Sequence, residues 1–231
     1  MREQLRPNEQ RAKAAIDLIW IVMSINIIIL ILSVAEVFFL MQDANGQEVS
    51  QTAVDICNTL LGIADWFIFI AFVLSAITFI RWFRRAYYNL HTIAGKTEYS
   101  AGWAAGSWFI PFVNLYIPYS IMKELYEKTD QYLAVHDNIG YSADRLRTDY
   151  VGWWWALCII CTIIGNITLK ITFNTQLGDD VMFGKIVNIV YLLLFIVLSF
   201  VTVIVIRDYA DVESQLFEIE GDTDSEVEVS A

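Results

Sequence analysis

Residues 107–125, SWFIPFVNLYIPYSIMKEL, are apolar enough to enter a bilayer, yet they hold Pro111, Pro118 and Asn114 among a cluster of aromatic rings. Each proline lacks an N–H and disturbs the turn before it, so in hydrocarbon the freed carbonyls near Ser107 and Asn114 need other partners. A regular lipid-facing span is therefore a poor fit. From Pro118 the pattern changes: Pro118 suits a first helical turn, and Tyr119, Met122, Leu125 and Tyr126 form an apolar face opposed by Lys123, Glu124, Glu127 and Lys128. The stretch predicts a short helix, a proline-broken turn around residues 111–118, and a second, amphipathic helix. Whether it crosses the bilayer fixes the side on which every later loop lies.

Composition makes the bilayer the relevant solvent. Of 231 residues 57% are hydrophobic, and the mean hydropathy is +0.50, more than a soluble core of this size requires. The formal charge of −11 is uneven, because Asp208, Asp211, Glu213, Glu218, Glu220, Asp222, Asp224, Glu226 and Glu228 follow Arg207 with no Lys or Arg among them. Without those nine acids the body stands near −2. Residues 207–231 are accordingly expected to be an acidic, disordered cytoplasmic tail. Three cysteines form no closed disulfide set, and Cys158 and Cys161 lie in the apolar run ALCIICTII, where packing explains them without redox or metal chemistry.

Four stretches have the roughly 20 apolar residues that a helix needs to cross about 30 Å of hydrocarbon: residues 16–41, 60–80, 151–169 and 184–206. The first follows Arg2, Arg6, Arg11 and Lys13, and Ser33-Val34-Ala35 resembles a cleavage site, but apolar residues continue through Met41, so a retained span is expected. If residues 101–122 do not cross, the N-terminus, residues 81–150 and Arg207 place thirteen basic residues on one side and only Lys170 and Lys185 on the other. A fifth crossing makes the split ten to five. The positive-inside rule favours the first arrangement: residues 1–15 and 81–150 cytoplasmic, outer loops at 42–59 and 170–183, and both termini inside the cell membrane. The expected fold is thus an all-α integral membrane protein, with four transmembrane helices plus a cytoplasm-facing, Pro-broken re-entrant or interfacial helical hairpin between spans two and three.

Span two does not end at residue 80. Ile80, Phe83, Tyr87, Leu90 and Ala94 continue an apolar stripe at helical spacing, with Arg81, Arg84, Arg85 and Asn89 off it, until Gly95 ends the helix. A basic amphipathic extension at the inner face is suited to the headgroup layer, its arginines near anionic lipid; the same arginines also satisfy the positive-inside rule alone. Downstream, Gly102 and Gly106 allow close backbone approach, and Trp103, Trp108, Tyr116 and Tyr119 suit the headgroup level.

The ordered set Arg81-Trp82-Phe83-Arg84-Arg85-Ala86-Tyr87-Tyr88-Asn89-Leu90, Gly102-Trp103-Ala104, Trp108-Phe109-Ile110-Pro111, Asn114-Leu115, Pro118-Tyr119, Met122 and Glu124-Leu125 resembles the bacterial domain-of-unknown-function family 4328. The similarity runs over about residues 60–206 and is strongest over 81–126. Tyr126 stands where a Trp commonly follows Glu-Leu in that family, which keeps an amphipathic aromatic. The resemblance implies a multi-span bacterial membrane protein and brings no assigned activity.

A charge at mid-membrane costs about 2.5–3.5 kcal/mol on insertion scales, and here the charges avoid the middle. Glu36 and Asp65 fall about a turn inside the outer ends of spans one and two, and Lys170 and Lys185 near the outer ends of spans three and four. They form a candidate intramembrane charge cluster, expected to pair and fix helix order. Deeper polar residues such as Asn26, Asn166 and Asn188 are uncharged and suit helix bridging. His91 and His136 have no ligand-spaced neighbour, and no G-x-S-x-G, H-E-x-x-H, P-loop or dinucleotide pattern occurs. No metal, cofactor or nucleic acid is expected.

Three functions fit. The preferred one is a non-enzymatic membrane component that binds a protein partner, or a second copy of itself, through its cytoplasmic aromatic and basic region, with anionic lipid headgroups at Arg81, Arg84 and Arg85. The candidate site is Arg81, Arg85, Asn89, Trp103, Trp108, Pro111, Asn114, Pro118, Tyr119 and Glu124. A small transporter or channel lined by the broken hairpin is the alternative. Third is an enzyme acting on lipid headgroups, with Arg81, Arg85 and Asn89 holding phosphate and Glu124 as base.

Overall fold

The computed structural model describes residues 5–136, 146–174 and 180–229. Arg2, residues 137–145 of the central region, 175–179 of the second outer loop and the last two tail residues lie outside the described residues. Every regular element among the described residues is helical: α1 Glu9–Ala44, α2 Gln51–Ala94, α3 Ala101–Gly106, α4 Ile117–Val135, α5 Thr148–Asn174 and α6 Asp180–Val229, with 3₁₀ turns at Ser107–Phe109 and Val113–Leu115. Four of them, α1, α2, α5 and α6, are long and apolar enough to cross a membrane, which supports a multi-pass membrane protein.

Local chemistry sets the helix ends. The Asn8 carbonyl accepts the first α1 bonds from Arg11 and Ala12, both 3.0 Å, and Glu9 in the first turn complements the helix dipole. At the other end Gly46 takes φ +69° while the Gly46 and Gln47 N–H groups donate back to the Asp43 and Gln42 carbonyls, a paired stop that a side chain would strain. Ser50 starts α2, its Oγ accepting from the Ala53 N–H at 3.4 Å. Gly95, at φ +65°, ends it.

The chain divides into two compact units, and α1, α2, α5 and α6 each contribute to both. The first comprises residues 17–75 and 156–202. Its interior is small: Ile29, Ala64 and Leu192, packed by Ile25, Leu61, Ile68 and Tyr191. Gly165 lets the Tyr191 ring lie against α5, since a Cβ there would be 3.1 Å from its Cε2. Its outer surface is apolar, with Trp66 72%, Phe67 62% and Phe69 62% exposed. Rings displayed this way in water would form an aggregating patch, whereas in lipid they are the solvated face.

The other unit comprises residues 1–16, 76–155 and 203–231. Here the aromatic residues turn inward: Trp82, Phe83, Tyr87 and Leu90 of α2, Ile121, Leu125 and Tyr126 of α4, Trp154 of α5, and Ile206, Tyr209, Val212 and Leu216 of α6 are buried. Two expectations change. The apolar stripe of the α2 extension is spent on protein packing and is not free to rest in lipid. And residues past Arg207 continue α6 as helix, with Tyr209, Val212, Glu213, Leu216 and Ile219 buried at helical spacing. Asp211 between them is exposed, so a composition typical of disorder coexists with an amphipathic period.

Candidate functional site

The proline-broken stretch is a strained turn between helices. Ile110, restricted by the following Pro111, is extended at φ −99°, ψ 116°. Phe112 sits at φ 65°, ψ −37°, a region in which a bulky aromatic costs about 1–2 kcal/mol. The turn closes with the Asn114 N–H donating to the Ile110 carbonyl at 3.0 Å, and Pro118 lies buried in the first turn of α4. Its apex is turned outward: Phe112 is 85% and Phe109 76% exposed, and Pro111, Leu115, Tyr116 and Trp103 are also exposed.

The flanks of this turn are anchored by rings. Trp108 packs edge-on to Phe79 at 5.5 Å and to Trp155 at 6.0 Å between centroids. Tyr119 stacks on Trp155 at 6.3 Å, and the Trp155 Nε1–H donates to the Leu115 carbonyl at 3.1 Å. Phe79 and Trp155 lie at the ends of the apolar runs 60–80 and 151–169. The Trp108 Nε1 and Ser107 Oγ are buried without a hydrogen-bond partner among the described residues.

Glu124, the candidate base, is buried and occupied. Its carboxylate accepts from the Tyr87 hydroxyl, from the Glu98 N–H at 2.8 Å and from Lys128 Nζ at 2.6 Å. The Tyr99 N–H donates to the Tyr87 oxygen at 3.1 Å, and Lys128 also reaches the Lys96 carbonyl at 2.7 Å. Burial and the bond to Glu124 hold the Tyr87 phenol well above its usual range. The network clamps the 95–100 loop to α2 and α4 and engages both Glu124 and Tyr87.

Asn89 belongs to a second network. It exchanges two 3.0 Å bonds with the Arg6 backbone, and its Nδ2 donates to Glu213 Oε1 at 2.8 Å. Asn8 Nδ2 donates to Glu213 Oε2 at 2.9 Å. Burial pushes the Glu213 carboxyl up to about 7, against the lowering effects of Asn8, Asn89 and the nearby Arg85. Neither Asn8 nor Glu213 was singled out by sequence reasoning; the signal available was Glu213 on the apolar stripe of α6.

Arg81 and Arg84 are exposed and Arg85 half-buried. The N-terminal arginines join them: Arg11 Nη1 donates to the Arg81 carbonyl at 3.3 Å, the Arg6 guanidinium lies 4.3 Å over the Tyr88 ring, and Arg6 and Arg11 are close enough to act on Arg85. Desolvation first, then the like charges of Arg11, Arg6 and Arg84, holds the Arg85 guanidinium below its usual range. None of the five arginines forms an ion pair among the described residues.

Of the charge cluster, Lys185 Nζ pairs with Glu36 Oε1 at 2.7 Å. Asp65 lies within electrostatic reach of both, whereas Lys170 is exposed and makes no ion pair among the described residues. No group of three metal-ligating side chains is present among the described residues.

Comparison with curated proteins and with solved structures gives no match. The family model described as a domain of unknown function, DUF4328, matches residues 45–211, most of the chain and all of the aromatic turn and its supporting helices, and the chain belongs to that family.

Proposed function

We propose that this protein is a non-enzymatic, multi-pass component of the cell membrane that organises a protein partner or a second copy of itself through the unit containing α4. In this reading that unit faces the cytoplasm, with both termini. The Phe109–Tyr116 turn dips into or lies on the inner leaflet as a re-entrant or interfacial hairpin, and the arginines hold anionic headgroups. The observation that carries the reading is a division of labour among side chains. The polar groups fit for chemistry, Glu124, Asn89 and Tyr87, are consumed by internal hydrogen bonds, while what the unit presents outward is unpaired arginine and exposed aromatic surface. Such a surface is suited to binding.

The strain at Phe112 supports the membrane placement, because an exposed ring held at positive φ has no packing inside the protein to justify it. A photo-crosslinker at exposed positions of α4 and the turn, activated in native membranes, tests the partner reading. A defined adduct with one protein, or a crosslinked dimer, is the expected product. Recovery of lipid adducts alone would remove the partner and leave only the lipid contact.

A further inference from the structure

The Asn8, Asn89 and Glu213 cluster has no role in that reading, yet in it a buried acid is hydrogen-bonded by two amides. Glu213 is 3% exposed, on α6 seven residues past the apolar run that ends at Ile206, about 10 Å along the helix. Both its oxygens accept from the Asn8 amide, Oε1 at 3.3 Å and Oε2 at 2.9 Å, and Oε1 also accepts from Asn89 at 2.8 Å. Among the described residues it forms no ion pair with a Lys or Arg. Through Asn89 the same cluster holds the Arg6 backbone by two bonds, so one carboxyl ties the segment before α1 to α2 and α6.

The groups around Glu213 can be named element by element. Arg85 comes from α2 and is itself within electrostatic reach of Arg6 and of Arg11 in the first turn of α1. Tyr209 lies on α6 itself. From α4, Thr129 meets the Tyr209 hydroxyl at 3.3 Å and the Tyr126 ring lies 5.9 Å from that of Tyr209. Only Arg85 among these lowers the proton affinity of the carboxyl by charge. The Asn8 Oδ1 is buried with no hydrogen-bond partner among the described residues, so turning the Asn8 amide over presents an acceptor to a protonated Glu213 where Nδ2 now serves the carboxylate.

We infer that Asn8, Asn89 and Glu213 form a proton-operated latch that fastens the N-terminal segment to α2 and α6 more tightly when Glu213 is protonated. The sign follows from linkage: the docked carboxyl titrates near 7 against an ordinary value of 4.5. Docking is therefore strongest below about pH 4.5, and weakens as pH rises through 7, where the buried charge must be carried. The latch also decides whether Arg6 stands beside Arg85.

Amide hydrogen exchange of the full-length protein in nanodiscs reads the latch at the Arg6 N–H, with protection expressed relative to the intrinsic rate at each pH. Protection is expected to fall about tenfold or more between pH 5.5 and pH 8.5. Glu213→Gln, neutral and isosteric, is expected to hold the low-pH protection throughout. A flat wild-type profile overturns the latch, and so does a full pH response surviving in E213Q. Should E213Q fail to fold, Asn8→Ala carries the assignment: low protection at both pH values with the pH response reduced below about twofold supports the latch, and an unreduced response overturns it.

Discussion

A carboxylate reached by a phenol, a backbone N–H and an ammonium is a structural hub, and Glu124 has all three. Its place on the polar face of α4, opposite Tyr119, Met122 and Tyr126, made it look available in the sequence. Two facts hid its true setting: Tyr87 lies 37 residues earlier, and the 95–100 loop that caps it has no periodic pattern. Long-range partners of this kind are not written in local spacing, whereas the apolar stripe of Phe83, Tyr87 and Leu90 was legible, though not that protein rather than lipid would cover it. The hub makes a direct prediction. Glu124→Ala leaves Tyr87 and the Glu98 N–H without their acceptor and should destabilise the protein by roughly 2–4 kcal/mol. Tyr87→Phe, which removes one donor and strands the Tyr99 N–H, should lose about 1–3 kcal/mol. Thermal unfolding in nanodiscs ranks the two; an E124A protein as stable as wild type would mean the hub is not formed.

At the scale of elements, the length and apolarity of α1, α2, α5 and α6 were readable, and so were the helix ends at Gly95 and Pro118. The C-terminal half of α6 was not, because the acids that follow Arg207 with no Lys or Arg among them read as a solvated tail, while Tyr209, Val212, Leu216 and Ile219 fall on one helical face. Leu216 separates the two readings. In a disordered tail Leu216→Ala changes nothing; in a packed helix it opens a cavity costing about 2–5 kcal/mol, and limited proteolysis should cut near Arg207 in the variant and not in the wild type. The turn offers the opposite experiment. Glycine accepts the φ of 65° that Phe112 bears, so Phe112→Gly should relieve strain of about 1–2 kcal/mol offset by glycine's greater unfolded-state entropy. If the ring is seated in the leaflet, the same change should lower the protection of this turn from aqueous quenchers. Stabilisation with unchanged quenching would place the ring in water.

At the scale of the molecule, the helices are longer than a bilayer requires. With 36, 44 and 50 residues, α1, α2 and α6 run about 54, 66 and 75 Å, so only part of each can lie in about 30 Å of hydrocarbon. Which part is set by what each unit shows to its surroundings. Residues 17–75 and 156–202 turn Trp66, Phe67 and Phe69 outward and keep a small apolar interior, which only lipid tolerates. The other unit buries Trp82, Phe83, Tyr87, Tyr126, Trp154 and Tyr209, keeps Phe109, Phe112 and Trp153 exposed, and carries the exposed Arg81, Arg84 and Lys123, which suits a charged membrane surface. Sequence hydropathy located the first set; the second was obscured because its buried aromatic residues score as apolar whether they face lipid or protein. The division predicts side-specific labelling in intact cells. Single cysteines replacing Glu98 and Glu127 should react only with reagent that reaches the cytoplasm, and one replacing Glu48, between α1 and α2, only from outside. Outside reaction at position 127 would require residues 101–122 to cross, reversing α5 and α6 and removing Arg207 from the side on which Arg81 and Arg84 lie.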